Sequence, residues 1–174
     1  IPVDRSSDQS RDIAKAFVSL ERKIKNNKLN QDSNWDDRIG ELYRQHVKLD
    51  SVLPFSILKQ PAFGRPGHVL FISELPSEYL SDAVTAFVKN INNDNDYPWT
   101  TDVVFVLGES DQSVHRQLVR NQYENFPVRS AVLMVLSKNP QKRDRKRFIE
   151  GLESSQLEVL EACLNALSSL PATE

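Results

Sequence analysis

A chain of 174 residues, 39% of them apolar and 26% charged, has the make-up of a folded domain able to bury a core. Its net charge of −2 gives no electrostatic drive toward nucleic acid or an anionic membrane, and no nucleic-acid partner is expected. The single cysteine, Cys163, excludes an intramolecular disulfide and any cysteine-clustered zinc or iron–sulfur centre, and no apolar stretch reaches the length of a membrane span.

Residues 1–10 are polar and are expected to be flexible. A pair of helices is expected over residues 11–50. The first carries Ile13, Phe17, Leu20 and Ile24 at helical spacing, with Lys15, Glu21, Arg22 and Lys25 elsewhere. The second is capped by Ser33, has Asp36 and Asp37 in its first turn, and buries Trp35, Ile39, Leu42, Tyr43 and His46 or Val47. Pro54, Pro61 and Pro66, with Gly64 and Gly67, make residues 50–67 an irregular connector.

Three apolar runs follow: His68–Ser73, Asp102–Leu107 and Ser130–Leu136. None alternates with polar residues, so each reads as a strand buried on both faces. Helical stripes separate them. One runs through Leu80, Ala83, Val84, Phe87 and Ile91 after a cap at Ser77; another through Val114, Leu118 and Val119 after a cap at Ser110 or Asp111, and Pro127 ends it. A basic helix, Gln141–Leu152, turns Phe148, Ile149 and Leu152 inward. A last helix, with a capping box of Ser155 and Glu158, packs through Leu157, Leu160, Leu164 and Leu167. The pattern predicts one α/β domain over residues 1–174, without internal repeat. It would be a three-layer Rossmann-like fold with a mostly parallel central sheet at 67–138, flanked by helices, and C-terminal helices at 141–170.

An open parallel sheet binds ligands at the carboxyl ends of its strands. After the first run the chain reads Glu74-Leu75-Pro76-Ser77-Glu78, with no glycine, no lysine and two carboxylates, so the fold lacks a phosphate-binding loop. No cofactor is expected. Glu74, Glu109 and Asp111 at the strand ends could hold magnesium for a nuclease or phosphotransferase, although helix capping and solvated loops also account for them. His46, His68 and His115 lie in separate elements, and Ser73 and Ser110 lack the Gly-x-Ser-x-Gly elbow of a hydrolase. The basic run Lys138, Lys142, Arg143, Arg145, Lys146 and Arg147 fits a solvated helix face or an acidic partner. Arg116 and Arg120 lie four apart, ahead of Tyr123-Glu124-Asn125-Phe126-Pro127; arginine is the residue that stabilises a neighbour's phosphoryl transfer in trans.

The Trp35-Asp36-Asp37-Arg38 helix, the proline-rich connector and the aromatic-Glu-x-Phe-Pro element before an apolar run resemble the luminal domain of the torsin-interacting proteins, the lamina-associated polypeptide family. The resemblance implies a degenerate, catalytically inactive AAA+-like domain. It also implies a function: docking on a torsin-type AAA+ ATPase in the nuclear envelope or endoplasmic reticulum lumen, and activating its ATP hydrolysis. Membrane attachment would come only through a segment outside this chain. Arg120 and Arg116 are then the candidate activating arginines, and Gln122, Tyr123 and Glu124 the candidate interface. Two departures stand out: the family's arginine position is Gln122 here, and its disulfide is impossible with Cys163 alone. The alternatives are an interaction scaffold without ATPase activation, a cytoplasmic location, and the metal-dependent enzyme.

Overall fold

The structure is a computed structural model, and it describes residues 7–26, 35–47, 52–75, 77–110 and 112–172. Two compact units divide the chain, 1–97 and 98–174, and each is described by itself. All regular structure among the described residues is helical, with no strand or sheet. This overturns the expected α/β fold. The boundary at Tyr97 also falls inside the 67–138 stretch expected to be one sheet core.

In the first unit, α1 (Ser7–Asn26), α2 (Trp35–Val47), α3 (Leu53–Leu58) and α4 (Leu80–Asn93) join a nine-residue 3₁₀ segment, Pro66–Glu74. The N-terminal pair is helical as expected, and α1 already begins within the stretch expected to be flexible. The Ser33 cap lies outside the described residues. On α2, Tyr43 is buried while Leu42 faces solvent. The expected irregular connector contains α3, started by Pro54 in its first turn, where a missing N–H costs nothing. Ser77 opens a short 3₁₀ turn instead of capping α4, whose N-cap is Tyr79.

Run His68–Ser73 lies in the 3₁₀ segment. At three residues per turn, His68 and Phe71 fall on one edge, each 1% exposed. Phe71 meets Phe17 and Tyr43 edge-on, and His68 stacks on Phe63 with ring centroids 5.4 Å apart. The His68 Nδ1 accepts from the Gly64 and Arg65 amides, and its Nε2 donates to the Val18 carbonyl at 3.2 Å. Gly64 has φ +107°, and a Cβ there would stand 2.6 Å from the Ala86 carbonyl oxygen. Only glycine fits this turn.

In the second unit, α5 (Thr101–Gly108), α6 (Ser113–Asn121), α7 (Arg129–Ser137), α8 (Arg145–Gly151) and α9 (Leu157–Ser169) form stacked helical hairpins. Helix α5 packs on α6 and α7, and α7 packs on α6, α8 and α9, which also meets α8. The first helices begin at Thr101, Arg129 and Leu157, each 28 residues after the last. The unit is thus two hairpins, α5–α6 and α7–α8, with the single helix α9 laid against the second. Glycines set the closest approaches: a Cβ on Gly108 would lie 2.6 Å from Val135 Cγ2, and one on Gly151 2.5 Å from Cys163 Sγ.

The runs Asp102–Leu107 and Ser130–Leu136 are the bodies of α5 and α7. A run that is apolar all round fits a buried helix as well as a buried strand, and end signals decide between them. Thr100 accepts from the Val103 amide as a helix N-cap, with Asp102 in the first turn and Gly108 at the end. Pro127 lies in the 3₁₀ turn Phe126–Val128, which leads straight into α7. On α8, Phe148 faces inward as expected, whereas Ile149 is 53% exposed. The expected capping box of α9 is not formed: Gln156 is the N-cap, and its amide bonds Ser154 Oγ. Helix α9 also packs through the other stripe, Val159, Cys163, Ala166 and Leu170, leaving Leu157 and Leu164 exposed.

Candidate functional site

The two arginines singled out from the sequence are both tied into the second unit. Arg120, 3% exposed on α6, forms a bidentate pair with fully buried Asp144: Nε to Oδ1 at 2.7 Å and Nη2 to Oδ2 at 2.8 Å. Its Nη1 donates to Gln117 Oε1 and its Nη2 also to Gln141 Oε1, both at 2.9 Å. Asp144 takes a further bond from Arg147 Nη1 at 3.2 Å. This is a brace between α6 and the turn that opens α8, with the guanidinium facing inward. Arg116 donates through Nη2 to the carbonyls of Leu136 and Asn139. It lines a cavity of about 360 Å³ with Ser110, Gln112, Ser113, Lys138 and Gln141. Burial and the neighbouring Arg120 lower its pKa from the ordinary arginine value.

The same cavity holds Glu109, which pairs with Lys138 at 2.5 Å. Glu74 ends the 3₁₀ segment of the first unit and its side chain is outside what is described, as is Asp111. The sheet mouth that would gather these three acids does not exist. No group of three His, Cys, Asp or Glu able to hold a metal occurs among the described residues. Ser110 Oγ bonds His115 Nδ1 at 2.7 Å and also accepts from the Gln112 amide, so the pair fastens the start of α6. Burial lowers the His115 pKa.

The aromatic-Glu-Asn-Phe-Pro element forms the larger feature. A groove of about 950 Å³ runs past the starts of α5, α7 and α9. Phe105, Met134 and Val159 supply apolar lining, and Glu150, Glu153 and Gln156 polar lining. Phe126, on the same wall, is 80% exposed. Arg129 fixes it: its guanidinium lies 5.1 Å from the Tyr123 ring centroid and 5.7 Å from that of Phe126, and its Nε donates to the Tyr123 carbonyl at 2.9 Å. Arg147 lies over the Tyr123 ring as well, at 5.3 Å. The Tyr123 hydroxyl donates to Glu150 Oε2 at 2.6 Å, and burial together with that carboxylate pushes the phenol pKa well above its usual value.

Of the candidate interface residues, Gln122 caps the end of α6, Tyr123 is 5% exposed, and Glu124 is open to solvent and pairs with Arg129 at 3.6 Å. From sequence, Phe126 stands out only as part of a motif, and Arg129 and Asp144 not at all. Arg129 follows the motif directly. Asp144 is the one acid inside the basic run 142–147, a sign that the run is folded back on itself. Arg143 bonds Gln141, Arg145 the Pro171 carbonyl and Arg147 Asp144, so these arginines are committed within the unit. No helix among the described residues is long and apolar enough to cross a membrane. No family model, curated protein or solved structure matches this chain, and the functional reading rests on the geometry of the site.

Proposed function

We propose that this chain is a non-catalytic protein-interaction module whose stacked helical hairpins present a groove to a partner polypeptide. One observation carries the reading: Phe126, 80% exposed, lies under the Arg129 guanidinium, which also lies over Tyr123, on the wall of the 950 Å³ groove. A large aromatic left in water forgoes about 1.5–3 kcal/mol of burial, and fixed aromatic and arginine side chains are the usual anchors of interfaces. The apolar lining suits an inserted apolar side chain, and the Glu150 and Glu153 side suits a cation next to it. Selecting linear peptides on the intact chain tests this. Peptides that bind the wild-type chain should lose about tenfold or more in affinity for Phe126→Ala, a change of over 1 kcal/mol, while the unfolding midpoint stays put. Peptides that bind both forms equally sink the reading.

Activation of a torsin-type AAA+ ATPase, in the nuclear envelope or endoplasmic reticulum lumen, is a narrower form of this proposal that takes its partner from the resemblance. Arg116, half-buried beside the smaller cavity, is the more accessible of its two arginines. The measurement is the partner's ATP turnover with and without this chain. An unchanged rate removes the activity, and stimulation that survives Arg116→Ala removes the arginine.

A further inference from the structure

The smaller cavity of the second unit, about 360 Å³, has a cation in its wall without a counter-ion. Arg116 is pinned through Nη2 to the Leu136 and Asn139 carbonyls. Its Nε is buried without a hydrogen bond, and its Nη1 makes none among the described residues. No acid among those residues pairs with it. Asp144, whose charge favours the Arg116 cation, is already bonded to Arg120 and Arg147, while Arg120 and Arg143 oppose that cation. Lys138 lines the same cavity, paired with Glu109, the one carboxylate lining it among the described residues. Both side chains of that pair are more than half exposed, and such a pair is held weakly. Gln112 and Ser113, the N-cap and first residue of α6, also line the cavity, and no side chain caps that end of the helix. No apolar side chain lines it among the described residues.

We propose that this cavity binds a phosphate monoester of a small polyol, with Arg116 and Lys138 meeting the phosphate. The dianion supplies the counter-charge that Arg116 lacks and accepts from its Nη1, a match that guanidinium makes well. Lys138 turns from Glu109 to the ligand, and the uncapped start of α6 favours the same charge. The uncharged Gln112, Ser113 and Asn139 side chains suit the hydroxyls of the carrier, and the lack of apolar lining disfavours a nucleobase or a lipid chain. A cavity of this volume takes one small molecule. It shares no lining residue with the Phe126 groove, so either proposal can fail without the other.

Isothermal titration calorimetry of the full chain with glycerol phosphate, inorganic phosphate and glycerol tests it. Glycerol phosphate should bind with a dissociation constant below about 1 mM, inorganic phosphate more weakly, and glycerol not at all. Arg116→Gln should weaken binding at least about tenfold, the worth of a hydrogen bond to a charged group. Lys138→Gln should weaken it several-fold, whereas Glu109→Gln, which removes the competing carboxylate, should strengthen it several-fold. Lys138 and Glu109 are exposed, so both variants should keep the wild-type unfolding midpoint. Opposite effects from the two halves of one ion pair separate binding from folding. Amide NMR shifts on adding glycerol phosphate should centre on Gln112, Ser113 and Asn139. The proposal is overturned if glycerol phosphate binds no more tightly than about 1 mM, or if inorganic phosphate or glycerol matches it. Shifts centred elsewhere also overturn it, as do an Arg116→Gln form that binds like the wild type and Lys138 and Glu109 variants that move affinity in the same direction.

Discussion

Replacing Asp144 by Asn probes the buried carboxylate that anchors Arg120 in the second unit. The carboxylate is fully buried and takes two bonds from Arg120, at 2.7 and 2.8 Å, and one from Arg147 at 3.2 Å. Asparagine keeps the shape, removes the charge, and turns one acceptor into an NH₂ group pointing at N–H donors. Arg120, 3% exposed, is then a buried cation without its counter-ion. Removing one partner of such a pair costs about 3–5 kcal/mol, a large share of the roughly 5–15 kcal/mol that holds a domain folded. At about 4 °C or more per kcal/mol, the unfolding midpoint should fall by at least about 12 °C. Urea unfolding followed by helical circular dichroism should show the lower midpoint with an unchanged slope. The double variant Arg120→Met/Asp144→Leu removes both charges together and should recover most of the loss. The reasoning is refuted if Asp144→Asn stays within about 1 kcal/mol of the wild type, or if the double variant is as unstable as the single one.

Other perturbations have equally definite outcomes. Gly64→Ala forces a Cβ to within 2.6 Å of the Ala86 carbonyl at φ +107° and should lower the first unit's stability by about 1–3 kcal/mol or more, read by chemical denaturation. Tyr123 has a folded pKa raised above its unfolded value, so its contribution is complete below about pH 10 and is lost as pH rises beyond that; Tyr123→Phe should flatten the alkaline fall in melting temperature. His115 has a folded pKa below its unfolded value. Its contribution is complete above about pH 6.5 and is lost as pH falls through the lowered pKa, and His115→Gln should remove that part of the acid dependence of stability.

Much of the helical pattern was legible because α1 and α4 have one apolar and one polar side: Phe17 and Phe87 are buried where their spacing puts them. On α6 Val119 is buried, but Val114, expected on the same stripe, is 63% exposed, and His115 and Arg120 turn inward instead. The stretches now seen as α5 and α7 have no polar side, and their composition misled. Val103, Val104 and Val132 favour strands by propensity, but tertiary packing decided their conformation. The end signals at Thr100, Gly108 and Pro127 were in the sequence and pointed to helices. Reading α5 and α7 as strands also hid the 28-residue spacing, which is visible only when three successive first helices are recognised as alike. On α9 the larger residues lost the interior to smaller ones. The helix comes so close to Gly151 that Cys163 fits there, whereas the leucines carry more volume than that gap allows. At the candidate site, Arg116 and Arg120 looked available because their partners, the Leu136 carbonyl and Asp144, lie 20 and 24 residues further on.

The regular stacking of hairpins in the second unit also bears on how that unit acquires its structure. Each hairpin is completed by residues close to it in sequence, and α7, touching α6, α8 and α9, is the layer from which order can spread in both directions. Local contacts of this kind close short loops at small entropic cost and favour rapid folding. Energy in such a stack resides between adjacent layers. The outer helices can therefore open and close while α7 stays in place, and hydrogen exchange should be slowest at α7 and quicken toward either end.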